Sequence, residues 1–577
     1  MLKVFHSSGE KKLLILVAGI LVLAVAVVLY LRPTPFNAYV PADCIGYLEV
    51  PSLEDVVHLI RDPRFLADAR NEAQTIAARQ WINAFLTRLE ISPQRLSRTQ
   101  IGVILTSASA EAGQTIKVNG VLVVRIRAYG VKNLNLAPRT VAEKLALPDS
   151  FISTETLRGQ DVVVLSRSQP DQKIYVTVHR DAVLFSNQRD ALSGVLATME
   201  GRSPSIVESS SWKMASPSYP DRPVLQGFFV GSSVLNLVRD FLVRNYTPFE
   251  DPARTARFLA ALGLDQVQAI HYHAQVRGSE VRDSWHFHWA ASTASSPSLL
   301  SIFVHQGGTG MESIPLNSMP SNTASVRYIS VAQSQEMWGL LANAIGIITN
   351  QEAPQNRDLI IAMFEGALGF RIQRDLLVNL SGGVALLELE RSPQDSDPRS
   401  RGAEKESSKG WLLALKTSNP AQLEKALSKI VAEDRSPKTQ QVGSTTVFFS
   451  DLGSKVPAPL SHVLDGIPAY ATQRNVVYFA PNKDDLVSAI QSLQQRSDML
   501  PPDLPPLLDP HAPYLSLALS PAEGGVRGTG PAPPQPPRRR LISASEIKED
   551  QGGFRYLQVS SCGFLCDLLV ETTRAVY

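Results

Sequence analysis

Tyr175–Leu192, YVTVHRDAVLFSNQRDAL, and Tyr470–Leu486, YATQRNVVYFAPNKDDL, read as one pattern met twice. With one gap, Tyr175 falls on Tyr470, Thr177 on Thr472, Phe185 on Phe479, Asp190 on Asp484 and Leu192 on Leu486. Each stretch alternates apolar and polar residues, turns, alternates again, and then takes a helical period. Upstream, GVLVVRIRA from Gly120 matches GWLLALKTS from Gly410. Further back, VPADCIGYLEVPSLEDV from Val40 matches MPSNTASVRYISVAQSQEM from Met319. Matches at these places, in the same order, predict one structural unit used twice.

Each unit opens with an alternating strand (Ile45–Val50; Ala324–Val331) followed by long helical segments (Leu53–Leu89; Ser334–Leu380). Two strands come next (Ile101–Leu105 with Val121–Ile126; Val384–Leu389 with Trp411–Leu415), then an amphipathic helix (Thr140–Leu147; Pro420–Val431). A strand pair and a closing helix from Gln188 or Lys483 complete the unit. Strands joined mainly by hairpins, with helices between, predict an α+β fold: duplicated units of largely antiparallel sheet with packed helices.

The units fall at 41–207 and 314–497. Between them, 208–313 reads as strand Val224–Val230, helices Ser233–Asn245 and Pro252–Leu262, and a hairpin of Val267–Val276 with Val281–Ala291. After them, 498–577 reads as a Pro/Gly-rich linker and a partial copy of that intervening segment. There GFRYLQVSSCGFLCDLLVETTRAVY from Gly553 is set against LQGFFVGSSVLNLVRDFLVRNY from Leu225, so the second copy is expected to stop before its hairpin. Arg391–Lys409 and Pro521–Arg540 read as surface insertions or linkers.

Ahead of the first unit, Leu13–Leu31 is an uncharged, almost wholly apolar run of nineteen residues. As a helix it covers roughly 28 Å, a bilayer's hydrocarbon core. Lys3, Lys11 and Lys12 precede it, and after Arg32 the next Lys or Arg is Arg61. That asymmetry predicts a cytoplasmic tail at 1–12, a single span at 13–31, a linker at 32–40 and an extracytoplasmic remainder. A cleaved signal peptide has a shorter apolar region and a small-residue cleavage site; here Arg32-Pro33-Thr34-Pro35 follows instead.

Hydrophobic content of 44% and charge of 19% fit a folded chain, and a net charge of +2 supplies no basic stripe for nucleic acid. The three cysteines, Cys44, Cys562 and Cys566, make no disulfide framework. An exported protein of this kind relies on its core, as in a bacterial envelope. Cys44 also raises a lipid-anchor reading, which Pro41-Ala42-Asp43 before it disfavours.

Val40-Pro41-Ala42-Asp43 followed by strand Ile45–Val50, with the repeat order through about Leu493, resembles a family of uncharacterised bacterial membrane-anchored envelope proteins, a domain of unknown function. The second unit departs at its entry, with Pro320-Ser321-Asn322. The resemblance implies a single-pass protein of the inner membrane with an extracytoplasmic domain. It carries no activity and no catalytic residues to transfer.

Motifs for chemistry are sparse. Gly307-Gly308-Thr309-Gly310 lacks the Lys-Ser/Thr of a phosphate loop, and no Gly-x-Ser-x-Gly, HExxH or CxxC occurs. Gly231-Ser232-Ser233 precedes a helix, where Ser232 or Ser233 reads as its N-cap. One constellation remains, His271-Tyr272-His273 and His286-Phe287-His288 about Arg277-Gly278-Ser279-Glu280. A two-residue Gly278-Ser279 loop pairs 271 with 286 and puts His271, His273, His286 and His288 on one face. Such a cluster suits Zn²⁺; no other cofactor is expected. The competing reading makes the histidines the solvent side of a one-sided sheet, with Ile270, Tyr272, Trp285, Phe287 and Trp289 as its core face. Asp283, by parity, belongs to that aromatic face.

Taken together, the residues predict a membrane-anchored extracytoplasmic protein with a non-enzymatic binding, scaffolding or envelope-assembly role. Its partner would be an envelope protein, a lipid or a cell-wall polymer. The alternatives are an extracytoplasmic metal-dependent enzyme using the histidine face, or a lipid-handling protein at the membrane surface.

Overall fold

In the computed structural model the described stretches are 34–61, 93–111, 115–126, 137–146, 150–166, 173–215, 223–277, 280–289, 298–305, 319–320, 322–331, 333–351, 353–390, 410–432, 437–449, 467–494, 512–519, 541–550 and 553–560, with a few isolated positions. Among the described residues no helix is long and apolar enough to cross a membrane. The run Leu13–Leu31 lies outside them, as do most of Leu53–Leu89, the segments Arg391–Lys409 and Pro521–Arg540, Cys562 and Cys566.

The fold is mixed α+β with one large antiparallel sheet. The first ten strands are β1 (Gly46–Val50), β2 (Thr99–Ala110), β3 (Ile116–Ile126), β4 (Phe151–Leu157), β5 (Gln160–Ser166), β6 (Lys173–His179), β7 (Ala182–Ser186), β8 (Leu225–Val230), β9 (Val267–Arg277) and β10 (Glu280–Trp289). The rest are β11 (Thr323–Ser330), β12 (Leu380–Leu389), β13 (Gly410–Thr417), β14 (Lys438–Val442), β15 (Thr445–Phe449), β16 (Ala469–Gln473), β17 (Val476–Ala480), β18 (Tyr514–Leu519), β19 (Leu541–Asp550) and β20 (Gly553–Ser560). From one edge the path runs β4–β5–β6–β7–β3–β2–β1–β8–β9–β10. It continues β20–β19–β18–β11–β12–β13–β17–β16–β15–β14 to the other. Adding ten to each strand number turns the first half of the path into the second, reversed about the β10–β20 join.

The matched stretches fold alike in detail. The β6–β7 turn places Arg180 at φ 55°, and the β16–β17 turn places Arg474 at φ 57°. A two-residue hairpin needs a positive φ to follow the strand twist, and here a non-glycine residue adopts it in both halves. Pro138 opens helix Pro138–Leu145, and Pro420 opens Pro420–Ala432. Proline suits a first helical turn because its missing N–H would be unpaired there anyway. These helices cover one face of their half-sheets, through Val141 and Ala142 in one and Leu423, Leu427 and Val431 in the other. Helices Arg189–Met199 and Lys483–Gln494 supply Leu192, Val195 and Leu196, or Leu486, Ala489 and Ile490, to two further clusters.

One expectation is corrected at the end of the chain. Gly553–Ser560 is not the counterpart of Leu225–Val230 but the second arm of the β19–β20 hairpin, in the place β10 holds in the β9–β10 hairpin. The strand in the position of β8 is β18, which pairs with β11 as β8 pairs with β1. Alternation alone cannot separate an edge-seeking strand from a hairpin arm, because both have period 2.

The β10–β20 pair runs from Val281↔Ser560 to His288↔Gly553. A Cβ on Gly553 would collide with the carbonyl oxygen of Phe287. Gly553→Ala is therefore expected to lower stability by at least about 2 kcal/mol, because backbone rather than a side chain must move. A urea midpoint equal to that of the unaltered protein would contradict it.

The entry to the fold, expected as linker, is seated in the core from Phe36 onward. Phe36, Tyr39 and Val40 are buried with Tyr47, Ile104 and Leu184, and Gly102 leaves the space that the Phe36 ring fills. Ile206 N–H donates to the Val40 carbonyl at 2.8 Å. Arg125, 2% exposed, donates from Nε to Asp181 Oδ2 at 2.6 Å and from its other end to the Thr34 carbonyl. Its guanidinium lies 4.9 Å from the centre of the Tyr39 ring. Cys44 is buried in the same cluster, and burial pushes its thiol up to about 12. A thiol so placed stays unreactive, so in a Cys562→Ser/Cys566→Ser background iodoacetamide is expected to label Cys44 only after denaturation, as mass spectrometry would read.

Candidate functional site

The β9–β10 hairpin sets the site. Its register puts His271 opposite His286, His273 opposite Ser284 and His288 opposite Ala269. Directly paired residues share a face, and positions two apart on a strand share it too. The four histidines therefore gather on one side. Ring centres lie 4.2 Å apart for His271–His286, 4.9 Å for His271–His288 and 5.5 Å for His273–His286. The ligating nitrogens of His271, His273 and His286 all lie within 4.8 Å of one another. Two further bonds brace the rings: His288 Nε2 is 2.9 Å from His271 Nδ1, and Ser284 Oγ is 2.9 Å from His286 Nε2.

The opposite face is aromatic core. Tyr272 packs on Trp285 at 4.3 Å and Phe287 stacks on Phe554 at 4.4 Å. Tyr272 Oη donates to Asp283 Oδ1 at 2.5 Å, and Asp283 is wholly buried. Burial, and then the Asp283 carboxylate, push the Tyr272 phenol up. Asp283 thus sits away from the histidines, where its parity puts it.

The histidine face is not a solvent face. His271 is only 5% exposed, and His273, His286 and His288 are half-buried. Phe228 lies opposite His271 on β8. Trp212, from helix Ser210–Ala215, packs on Phe228 at 4.8 Å and on Tyr47 at 6.3 Å. The one-sided-sheet expectation fails because this half of the sheet has a core on both faces.

Other strands bring charge and hydrogen-bonding groups onto the histidine face. Gln226 on β8 pairs with Glu49 on one side and His273 on the other. Gln226 Nε2 donates to Glu49 Oε2 at 3.1 Å, and Gln100 Nε2 donates to Glu49 Oε1. Across the join, Arg555 on β20 lies opposite His286 and donates to Glu546 Oε1 at 3.4 Å. Glu49 and Glu546 are both buried. Only Glu49 leaves a trace in local sequence, a carboxylate at a core-parity position of the alternating strand GYLEV. Arg555 and Glu546 reach the site through pairings with no local signature.

Burial, then the neighbouring His286, His288 and His273, hold His271 down to about 2. Burial, then His286 and Arg555, hold His273 down to about 4. Both rings are neutral at physiological pH, each with a lone pair on one nitrogen. Chemically, the cluster can donate lone pairs to a cation or pass protons between imidazoles.

Comparisons with known proteins add a likeness but no assignment. No protein-family model matches the chain, and no curated protein matches it. Among solved structures it is similar to TP0453 in crystal form I, at 10% identity over 46% of this chain and 82% of that one, with a TM-score of 0.22. Crystal form III of TP0453 gives 10% identity over 47% of this chain and 86% of that one, with a TM-score of 0.23.

Proposed function

We propose that the chain is a single-pass, membrane-anchored protein of a bacterial envelope, with a non-enzymatic binding or scaffolding role outside the cytoplasm. Its described part would be two copies of one ten-stranded unit. The observation that carries the scaffolding reading is the repeated pairing order, with both halves joined edge to edge through β10 and β20. One continuous sheet of this kind offers equivalent surfaces at two ends, suited to bridging other envelope components. The anchor rests on Leu13–Leu31 and the basic residues before it.

The test is fractionation and crosslinking in native membranes. The chain should resist a carbonate wash, dissolve in detergent and expose its C-terminal part to protease only from the extracytoplasmic side. Crosslinking followed by copurification should recover an envelope component in a fixed ratio. Release by carbonate alone would overturn the anchor, and recovery of the chain without any such component would overturn the scaffolding role.

A further inference from the structure

We propose that His271, His273 and His286 form a binding site for a divalent transition-metal ion of the Zn²⁺ class, independent of the bridging role. Three imidazoles at this spacing form a nearly prepared ligand set. Around tetrahedral Zn²⁺, with Zn–N distances of about 2.0–2.1 Å, nitrogens lie about 3.4 Å apart. The observed nitrogens are already within 4.8 Å of one another. The remaining gap, at most about 1.4 Å per pair, is within the reach of side-chain torsions.

Two of the three rings also have the outer support that metal-binding histidines need. A ligating imidazole normally hydrogen-bonds through its other nitrogen, which fixes the tautomer and aims the lone pair. His271 Nδ1 meets His288 Nε2 at 2.9 Å. With the proton on His271 Nδ1, donated to His288, His271 Nε2 becomes the ligand. His286 Nε2 meets Ser284 Oγ at 2.9 Å, which leaves Nδ1 of His286 for the ion. His288 and Ser284 are thus positioning residues. The Arg555 charge near the site opposes a cation, and Glu546, which accepts from Arg555 at 3.4 Å and also meets Lys548 Nζ at 4.0 Å, offsets it only in part.

Imidazole ligands favour Zn²⁺, Cu²⁺ and Ni²⁺ over Mg²⁺ or Ca²⁺, which take oxygen. Three protein ligands leave a fourth position for water or an incoming group.

The experiment uses the full chain in detergent, without an affinity tag, stripped by chelator and dialysed against Zn²⁺. Elemental analysis should find one ion per chain. Co²⁺ in its place should give the visible absorption of a tetrahedral site. His273→Gln/His286→Gln should lose the ion and the Co²⁺ spectrum. His288→Gln should keep the stoichiometry with affinity weakened about 10–100-fold, the range for lost outer support. His58→Gln, at an exposed position away from the cluster, should change nothing. Absence of bound Zn²⁺ and of a tetrahedral Co²⁺ spectrum in the unaltered chain would overturn the site. So would equal binding by His273→Gln/His286→Gln. The Co²⁺ spectrum of the unaltered chain decides the matter even if that double variant fails to fold.

Discussion

Arg125→Met is expected to destabilise the protein by about 3–5 kcal/mol, the range for removing one partner of a buried ion pair. Arg125 is 2% exposed, and its Nε meets Asp181 Oδ2 at 2.6 Å. Without it the Asp181 carboxylate loses its charge partner in a largely desolvated place, and the Thr34 carbonyl loses a donor. Arg125→Lys keeps the charge but cannot fork to both acceptors, so it should fall between Met and the unaltered protein. Arg125→Met/Asp181→Leu should recover much of the loss, because removing both charges leaves no buried ion unpaired. Denaturant midpoints of the three variants test this. A loss below about 1 kcal/mol for Arg125→Met would place the pair in the class of exposed surface bridges.

Acidification of metal-free protein is the second large effect. His271 and His273 have folded-state values of about 2 and about 4, below the unfolded value of about 6.5. Above pH 7 neither folded nor unfolded chain protonates them, and their neutral burial costs nothing extra. As pH falls through 6.5 the unfolded chain takes up protons that the folded chain refuses. Stability is therefore lost as pH falls, until His273 protonates in the fold near 4 and His271 near 2. At pH 5 the loss is about 2 kcal/mol for each ring, by proton linkage. Denaturant midpoints at pH 7.5 and pH 5, compared with His271→Gln/His273→Gln, isolate the contribution from that of the carboxylates. Equal slopes in the two proteins would refute it.

Much of the architecture is legible where a signal is local. The stretches from Tyr175 and Tyr470 show their strands, turns and helices because each period is carried by neighbours in sequence. The His271–His286 register is legible too, since a tight hairpin fixes which residues face each other. The rest depends on distant pairs. Nothing within GFRYLQVS says that it joins β10, and nothing within FFVG or GYLEV says that β8 lies beside β1. A strand's period tells which residues share a face but not which strand lies alongside. The burial of His271 stays hidden for the same reason, because its strand neighbour Phe228, and Trp212 packed on that ring, come from elsewhere in the chain.

The β10–β20 join also orders events during synthesis. All strands of the first half precede Thr323, so that half can close as soon as β10 has emerged. Its partner β20 is the last described strand, and the ribosome must add everything from Trp289 to Gly553 before it appears. Domains fold as they are made, N-terminal first. During that interval β10 is an open edge with unpaired backbone groups, the usual route to mispairing with another chain. Arg282, His286 and His288, spaced along that waiting strand, give it polar side chains on one face until its own partner arrives.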